Sequence, residues 1–227
     1  ITANAIALAE GKAIVGEPSS GTDELALLDQ TFHKMSSALK QALEQEAKLA
    51  RVDALSQLPN RFYFSETVVE SSATMQPGPK RFCIVICDID KFKLINDRFG
   101  HAVGDEAIKL TAQRIQQSIR DSDIAARWGG EEFIVSLPKT DVAGAAILAE
   151  RIRTSIMEST LVYGDIELSF TISCGVAELL PDEDIEHLIQ RADAALYRAK
   201  KDGRNRIMVA TSDERLPSTS GMMQALP

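Results

Sequence analysis

The chain has 227 residues, 44% hydrophobic and 26% charged, with 8 Phe, 3 Tyr, 1 Trp, 13 Gly and 8 Pro. An independent core takes roughly 100 to 150 residues, so one ordinary domain with extra segments is expected, and collagen-like, mucin-like and disordered classes are excluded. With 25 Lys+Arg against 33 Asp+Glu the net charge is −8, the wrong sign for a nucleic acid partner, although a local basic pocket is compatible with it.

Ile1 to Glu10 reads as a short helical stub, followed by Gly11 and a connector carrying Ile14, Val15, Pro18 and Gly21. From Asp23 onward Leu25, Leu28, Phe32, Met35, Leu39 and Ala42 recur in alternating steps of three and four, the seam of a parallel coiled coil reaching about Arg51. The phase breaks where Glu46 falls on the seam while Leu43, Ala47 and Ala50 continue a shifted stripe, a stutter that changes local supercoiling. This order of helix, glycine, connector, Asp-Glu-Leu and heptad helix, over residues 1–45, resembles a HAMP signalling domain truncated in its first helix. A plain coiled-coil linker would carry the same pattern. Because the chain opens on Ile1 without Met or a signal-type n-region, it is expected to be part of a longer protein. The HAMP resemblance implies a transmembrane sensor upstream, with this part on the cytoplasmic side of an inner membrane.

From about residue 46 to 210 the pattern is mixed α and β. Phe82 to Asp88 reads as a buried strand, Val103 to Ile119 as a helix with Ala107, Ile108, Ile115 and Ile119 inward, and Ile124 to Leu137 as two strands around Gly129-Gly130. Val142 to Met157 is a second helix, Ile166 to Glu178 is β-branched strand, Ile185 to Lys200 a third helix and Arg206 to Val209 a last short strand. Residues 211–227 are polar, aperiodic and rich in Pro, Gly and Ser, and a disordered tail is expected. Cys83, Cys87 and Cys174 sit in apolar runs and read as buried free thiols of a reducing compartment. His33, His101 and His187 lack zinc-type spacing. No run approaches the roughly 20 apolar residues of a membrane span.

Two stretches carry chemistry. An apolar strand ending in Asp88-Ile89-Asp90 sets carboxylates at a sheet edge, where α/β proteins bind ligands. Then Arg127-Trp128-Gly129-Gly130-Glu131-Glu132-Phe133 places two glycines between strands, permitting a tight turn with positive φ and close approach to a ligand, followed by two acids.

Gly129 to Phe133 resembles the signature of the GGDEF family of diguanylate cyclases in its Gly-Gly-Glu-Glu-Phe form. Asp88 to Asp97 and Phe99 to Asp105 are similar to the family's strand-and-loop motif. Asp53 to Arg61 resembles its opening motif, with Ser56 where Thr is common, and Tyr197 to Asn205 its closing motif. The resemblance implies an α+β fold, a central mostly antiparallel sheet flanked by helices as in nucleotidyl cyclases and polymerase palms, with the coiled-coil helix before it. It also implies condensation of two GTP into cyclic di-GMP and two pyrophosphates by a homodimer. Mg²⁺, two per site with Mn²⁺ as a substitute, would be held by Asp88, the Ile89 carbonyl and Glu131, since Mg²⁺ takes hard oxygen ligands shared with phosphates.

Glu131 is the candidate to assist deprotonation of the attacking hydroxyl. Lys93, Lys200 and Arg204 would neutralise the triphosphate, with Phe92, Gly129 and Gly130 lining the substrate. A carboxylate accepting two bonds selects the N1–H and N2–H₂ donors of guanine, and an amide serves its O6 or N3 edge; Asp105 and Asn96 match those roles. Asp90 is expected to be structural. Arg120 and Asp123 resemble the family's RxxD site for inhibition by product, and Arg151 a second arginine used by some members. The alternative function is a catalytically silent domain that only binds cyclic di-GMP.

Overall fold

A strand covered on both faces is apolar at nearly every position rather than at alternate ones, and β1 (Phe82–Ile89) follows that rule, with all eight residues buried. It is the middle strand of a five-stranded sheet of order β2-β3-β1-β6-β7, formed with β2 (Ile124–Arg127), β3 (Glu132–Pro138), β6 (Ile172–Glu178) and β7 (Ile207–Val209). All neighbours pair antiparallel except β6 and β7. A separate hairpin joins β4 (Leu161–Tyr163) to β5 (Ile166–Leu168). The computed structural model describes residues 30–38, 51–73 and 81–211. The chain divides into two units, Ile1–Ala50 and Arg51–Pro227.

The two-residue period of β1 sorts its side chains into two cores. Cys83, Val85, Cys87 and Ile89 point toward α3 (His101–Ser118) and α4 (Val142–Met157), meeting Ala107, Ile108 and Ile115 from the first and Ala149, Ile152 and Ile156 from the second. Phe82, Ile84 and Ile86 point the other way, toward Phe64 and Val68 of α1 (Arg61–Ala73) and Leu188, Ala192 and Leu196 of α5 (Ile185–Lys201). The helix α2 (Phe92–Phe99) follows β1 and buries Phe92 and Ile95. Gly175 of β6 is what lets α5 lie so close. A Cβ there would stand 2.0 Å from the Ala192 carbonyl oxygen and 2.4 Å from the Leu196 nitrogen, both backbone atoms that cannot step aside.

The expected fold class and the strand and helix order hold; α4 runs over the expected Val142 to Met157. Three elements were not foreseen. Only Phe64 and Val68 of α1 are buried among its described side chains, a single i, i+4 pair, while Phe62 is exposed. In α2 the apolar stripe is one turn long, and β4 is too short to announce itself.

Helix α5 begins at Asp184, whose side chain accepts the His187 backbone N–H at 2.8 Å. That bond, with the His187 side chain, holds the Asp184 carboxyl below its usual 3.8. A depressed carboxylate adds stability that is complete above its unfolded pKa and lost as pH falls through the folded one. Asp184→Ala should therefore cost about 1 kcal/mol at neutral pH, with the gap from wild type closing below pH 3.8; urea titrations across that range measure it.

All three cysteines are free and buried, as expected. Burial pushes the Cys83 thiol up to about 12, and the Cys87 sulfur at 3.2 Å together with burial raises Cys174 well above the ordinary thiol value. In the first unit, residues 30–38 are helical, inside the helix expected from Asp23. Its seam residue Met35 is 68% exposed. The rest of the HAMP-like pattern, the stutter near Glu46 and the tail after Thr211 lie outside the described residues. Among the described residues no helix is long and apolar enough to cross a membrane.

Candidate active site

The β1–β3 ladder ends on the pair Asp88↔Glu132, and the Ile89 N–H donates to the Glu131 carbonyl at 3.3 Å. The register thus carries the acidic loop to the carboxyl end of β1. Asp88 is 6% exposed and its Oδ2 accepts Lys200 Nζ at 2.8 Å, from the last turn of α5. Burial pushes the Asp88 carboxyl up to about 6 against the pull of Lys200, and Glu131 and Glu132 add repulsion. The end of β1 thus gathers negative charge and already draws one cation.

The loop between β2 and β3 departs from expectation. Neither Gly129 nor Gly130 has φ in the left-handed region. A two-residue mirror-image turn would demand it, but the strands are joined through Gly129 to Glu131, closed by the Trp128 N–H to the Glu132 carbonyl at 2.8 Å. The glycines contribute space instead. Among the described residues a Cβ on Gly130 would meet nothing within 4 Å, while one on Gly129 would meet Glu132 Oε2 at 2.9 Å.

Two residues that sequence reasoning did not assign hold this loop. Arg127 donates from Nε and Nη2 to the Gly130 carbonyl at 3.1 and 2.7 Å and from Nε to that of Gly129 at 3.2 Å. Its Nη1 meets Asp53 Oδ1 and Oδ2 at 3.1 and 3.2 Å. Asp53 in turn accepts from the Ser56 N–H and hydroxyl, both at 2.8 Å, so Ser56 needs only its hydroxyl to serve here. The opening motif therefore shapes the acidic loop from 74 residues away. A charge pair split that widely between two motifs is the signal that was available.

The Asp90 expectation is met. Its carboxylate accepts Thr171 Oγ1 at 2.7 Å, Ser173 Oγ at 2.6 Å and the Asn205 N–H at 3.0 Å, tying β6 and the segment after α5 to the end of β1. That segment includes Arg204, exposed at φ 64°. With Asp90, Lys91 and Arg98 it lines a cavity of about 340 Å³. Arg153 also braces it, Nη1 donating to Asn205 Oδ1 at 2.6 Å.

Lys93 and Asp105 are exposed on α2 and α3, Phe92 is buried in the core, and Asn96 has its Oδ1 buried without a partner among the described residues. Arg120 and Asp123 form a turn between α3 and β2, in which the Asp123 carboxylate accepts the Arg120 N–H at 3.1 Å and leaves the Arg120 side chain exposed. Arg151 of α4 donates to the Ser118 carbonyl, which brings it beside that turn. Among the described residues no cluster of three or more His, Cys, Asp or Glu forms a metal cage.

A mixed sheet between two helical layers, with an acidic strand end facing a Gly-Gly-Glu-Glu loop, defines an α+β domain with its candidate site at the end of the central strand. Residues 50–206 match the family described as diguanylate cyclase, GGDEF domain. The chain belongs to the GGDEF family, as a GGDEF domain with an N-terminal coiled-coil region. It is 38% identical over 175 residues to the diguanylate cyclase DgcP of Pseudomonas aeruginosa, covering 77% of this chain and 26% of that protein. The coiled coil and GGDEF domain of DgcB from Caulobacter crescentus, solved with c-di-GMP, superposes with a TM-score of 0.68 at 34% identity, over 82% of this chain and 98% of that one. The active GGEEF domain of a diguanylate cyclase from Vibrio cholerae does so at 0.63 and 37% identity, over 68% and 99%. The chain spans between 26% and 54% of the length of the curated relatives DgcP and diguanylate cyclase A of Treponema denticola.

Proposed function

We propose that the protein is a diguanylate cyclase, joining two GTP into cyclic di-GMP with release of two pyrophosphates, and that it works as a homodimer. The observation that carries this reading is the buried Asp88, bonded to Lys200 and set beside the loop that presents Glu131. The likeness to named diguanylate cyclases favours an active enzyme over a silent receptor.

The donor set suits Mg²⁺ or Mn²⁺. Hard divalent ions of this size take one or two carboxylates and complete their shell with water and substrate phosphate, so Asp88, the Ile89 carbonyl and Glu131 are sufficient without a closed cage. When bound, the metal would neutralise phosphate charge and make the ribose hydroxyl more acidic. The chain's own groups do the rest. Lys200, released from Asp88, turns its ammonium to the triphosphate, and Lys93 and Arg204 add charge from α2 and from the segment after α5. Asp105 and Asn96 select guanine. Glu131 accepts the proton of the 3′-hydroxyl as that oxygen attacks the α-phosphate of the GTP on the facing domain and pyrophosphate leaves.

Two facing half-sites need two chains, and the exposed Met35 on the expected seam supports pairing through the N-terminal helix. We assign residues 1–45 to a HAMP-like signalling segment, 46–210 to the cyclase domain and 211–227 to a tail, with a membrane sensor upstream in the whole protein. Product binding at Arg120, Asp123 and Arg151 supplies feedback: Arg120 can fork a guanine edge or a phosphate, and Asp123 can accept guanine N1–H and N2–H₂. Arg120→Ala should abolish inhibition by added cyclic di-GMP and leave the initial rate unchanged, as progress curves with and without product will measure.

The decisive experiment is Mg²⁺-dependent pyrophosphate release from GTP with chromatographic detection of cyclic di-GMP. Absence of both from a demonstrably dimeric protein overturns the proposal.

A further inference from the structure

Gly104 lies in α3 where that helix meets α2. A Cβ built on it would stand 1.9 Å from Asn96 Oδ1, 3.0 Å from Asn96 Cγ and 3.2 Å from Phe92 Cζ. The Asn96 amide therefore fills the volume that any side chain at position 104 would need. The same Oδ1 is buried and has no hydrogen-bond partner among the described residues. A buried amide oxygen left unpaired is costly, and this one is held at the point where α3 presents the next residue, Asp105, to solvent.

We propose that Gly104 is the positioning residue for base recognition: its missing Cβ lets the Asn96 amide lie against α3, oriented for the guanine edge that Asp105 also contacts. This rests on the assignment of Asn96 and Asp105 to guanine made above. The contact is unusual in its consequences because the atom in the way is the far end of a side chain with two rotatable bonds. Asn96 can swing aside, so a methyl group at 104 is accommodated with little loss of stability, but the amide then leaves its place. Gly175 shows the opposite case, since there the atoms in the way belong to the backbone. Position 104 is thus one where folding and base selection separate.

The test uses the whole chain with Mg²⁺ and two probes that bind without reacting, 3′-deoxy-GTP and 3′-deoxy-ATP, titrated calorimetrically. Gly104→Ala is expected to weaken 3′-deoxy-GTP by about tenfold or more and leave 3′-deoxy-ATP unchanged, because the triphosphate contacts are untouched. Asn96→Ala should weaken 3′-deoxy-GTP to a similar degree, and the double variant no further, since both remove one contact. In turnover, Gly104→Ala raises KM for GTP more than it lowers kcat. If Gly104→Ala binds 3′-deoxy-GTP like wild type while Asn96→Ala does not, the role of Gly104 is overturned and the base assignment stands. If Asn96→Ala binds like wild type, the base assignment falls and the proposal with it. Additive losses in the double variant also overturn it, because they mean independent actions. Should Gly104→Ala melt well below wild type, removing the amide in the double variant should restore the melting temperature, and no recovery overturns the proposal.

Discussion

Glu131→Gln is expected to reduce cyclic di-GMP formation by at least about 10³-fold, the combined loss of the proposed general base and charged metal ligand. Glutamine keeps the shape of the side chain and removes its charge and basicity. The fold should not respond, because the Ile89 N–H bonds the backbone carbonyl of residue 131 and not its side chain. Pyrophosphate release at saturating Mg²⁺, with the oligomeric state followed by light scattering, is the measurement. A rate within tenfold of wild type would remove Glu131 from the chemistry.

The largest effect on stability is expected at Arg191→Ala. Arg191 is 4% exposed within α5; its Nε donates to Glu183 Oε1 and its Nη2 to Glu183 Oε2, both at 2.6 Å, with a further bond from Nη2 to the Glu178 carbonyl. Glu183 also accepts the Leu180 N–H at 2.9 Å. The pair therefore clamps the segment between β6 and α5. Truncating one member strands a buried charge, which costs about 3–5 kcal/mol, whereas replacing both members by apolar residues of similar volume is close to neutral. Chemical denaturation of Arg191→Ala and of Arg191→Met/Glu183→Leu separates the two: the single variant should lose several kcal/mol and the double should recover most of it. Equal losses in both would mean that the hydrogen bonds of the pair to the Glu178 carbonyl and the Leu180 N–H, and not a stranded charge, carry the stability.

Legibility varied along the chain for identifiable reasons. Helix α4 was readable because Asp141 caps it, its carboxylate accepting the Gly144 N–H at 3.0 Å, and because apolar residues recur along its inner face. β1 was readable because a doubly covered strand has no polar alternation. The candidate site residues stood out because motifs are local: Asp88, Glu131 and Lys200 each sit in a short run of distinctive residues. Arg191 gave no such signal, since a buried arginine looks like any polar position of a helix until its carboxylate partner is seen. The loop at Gly129-Gly130 was misread in conformation for a related reason: two adjacent glycines permit left-handed backbone, but the Arg127 guanidinium that gathers their carbonyls sets the loop actually formed.

The residue order by itself determined the family and the order of strands and helices, because each of these is written in contiguous residues. Tertiary structure alone decided which residues meet. The Arg127 contact with Asp53 crosses 74 residues and the Asp90 contact with Asn205 crosses 115, and the space for Asn96 beside Gly104 exists only because α2 packs on α3. Charge pairs, orphaned polar atoms and missing Cβ atoms acquire meaning from distance in space, which depends on sheet register and helix packing and is not encoded at any single position.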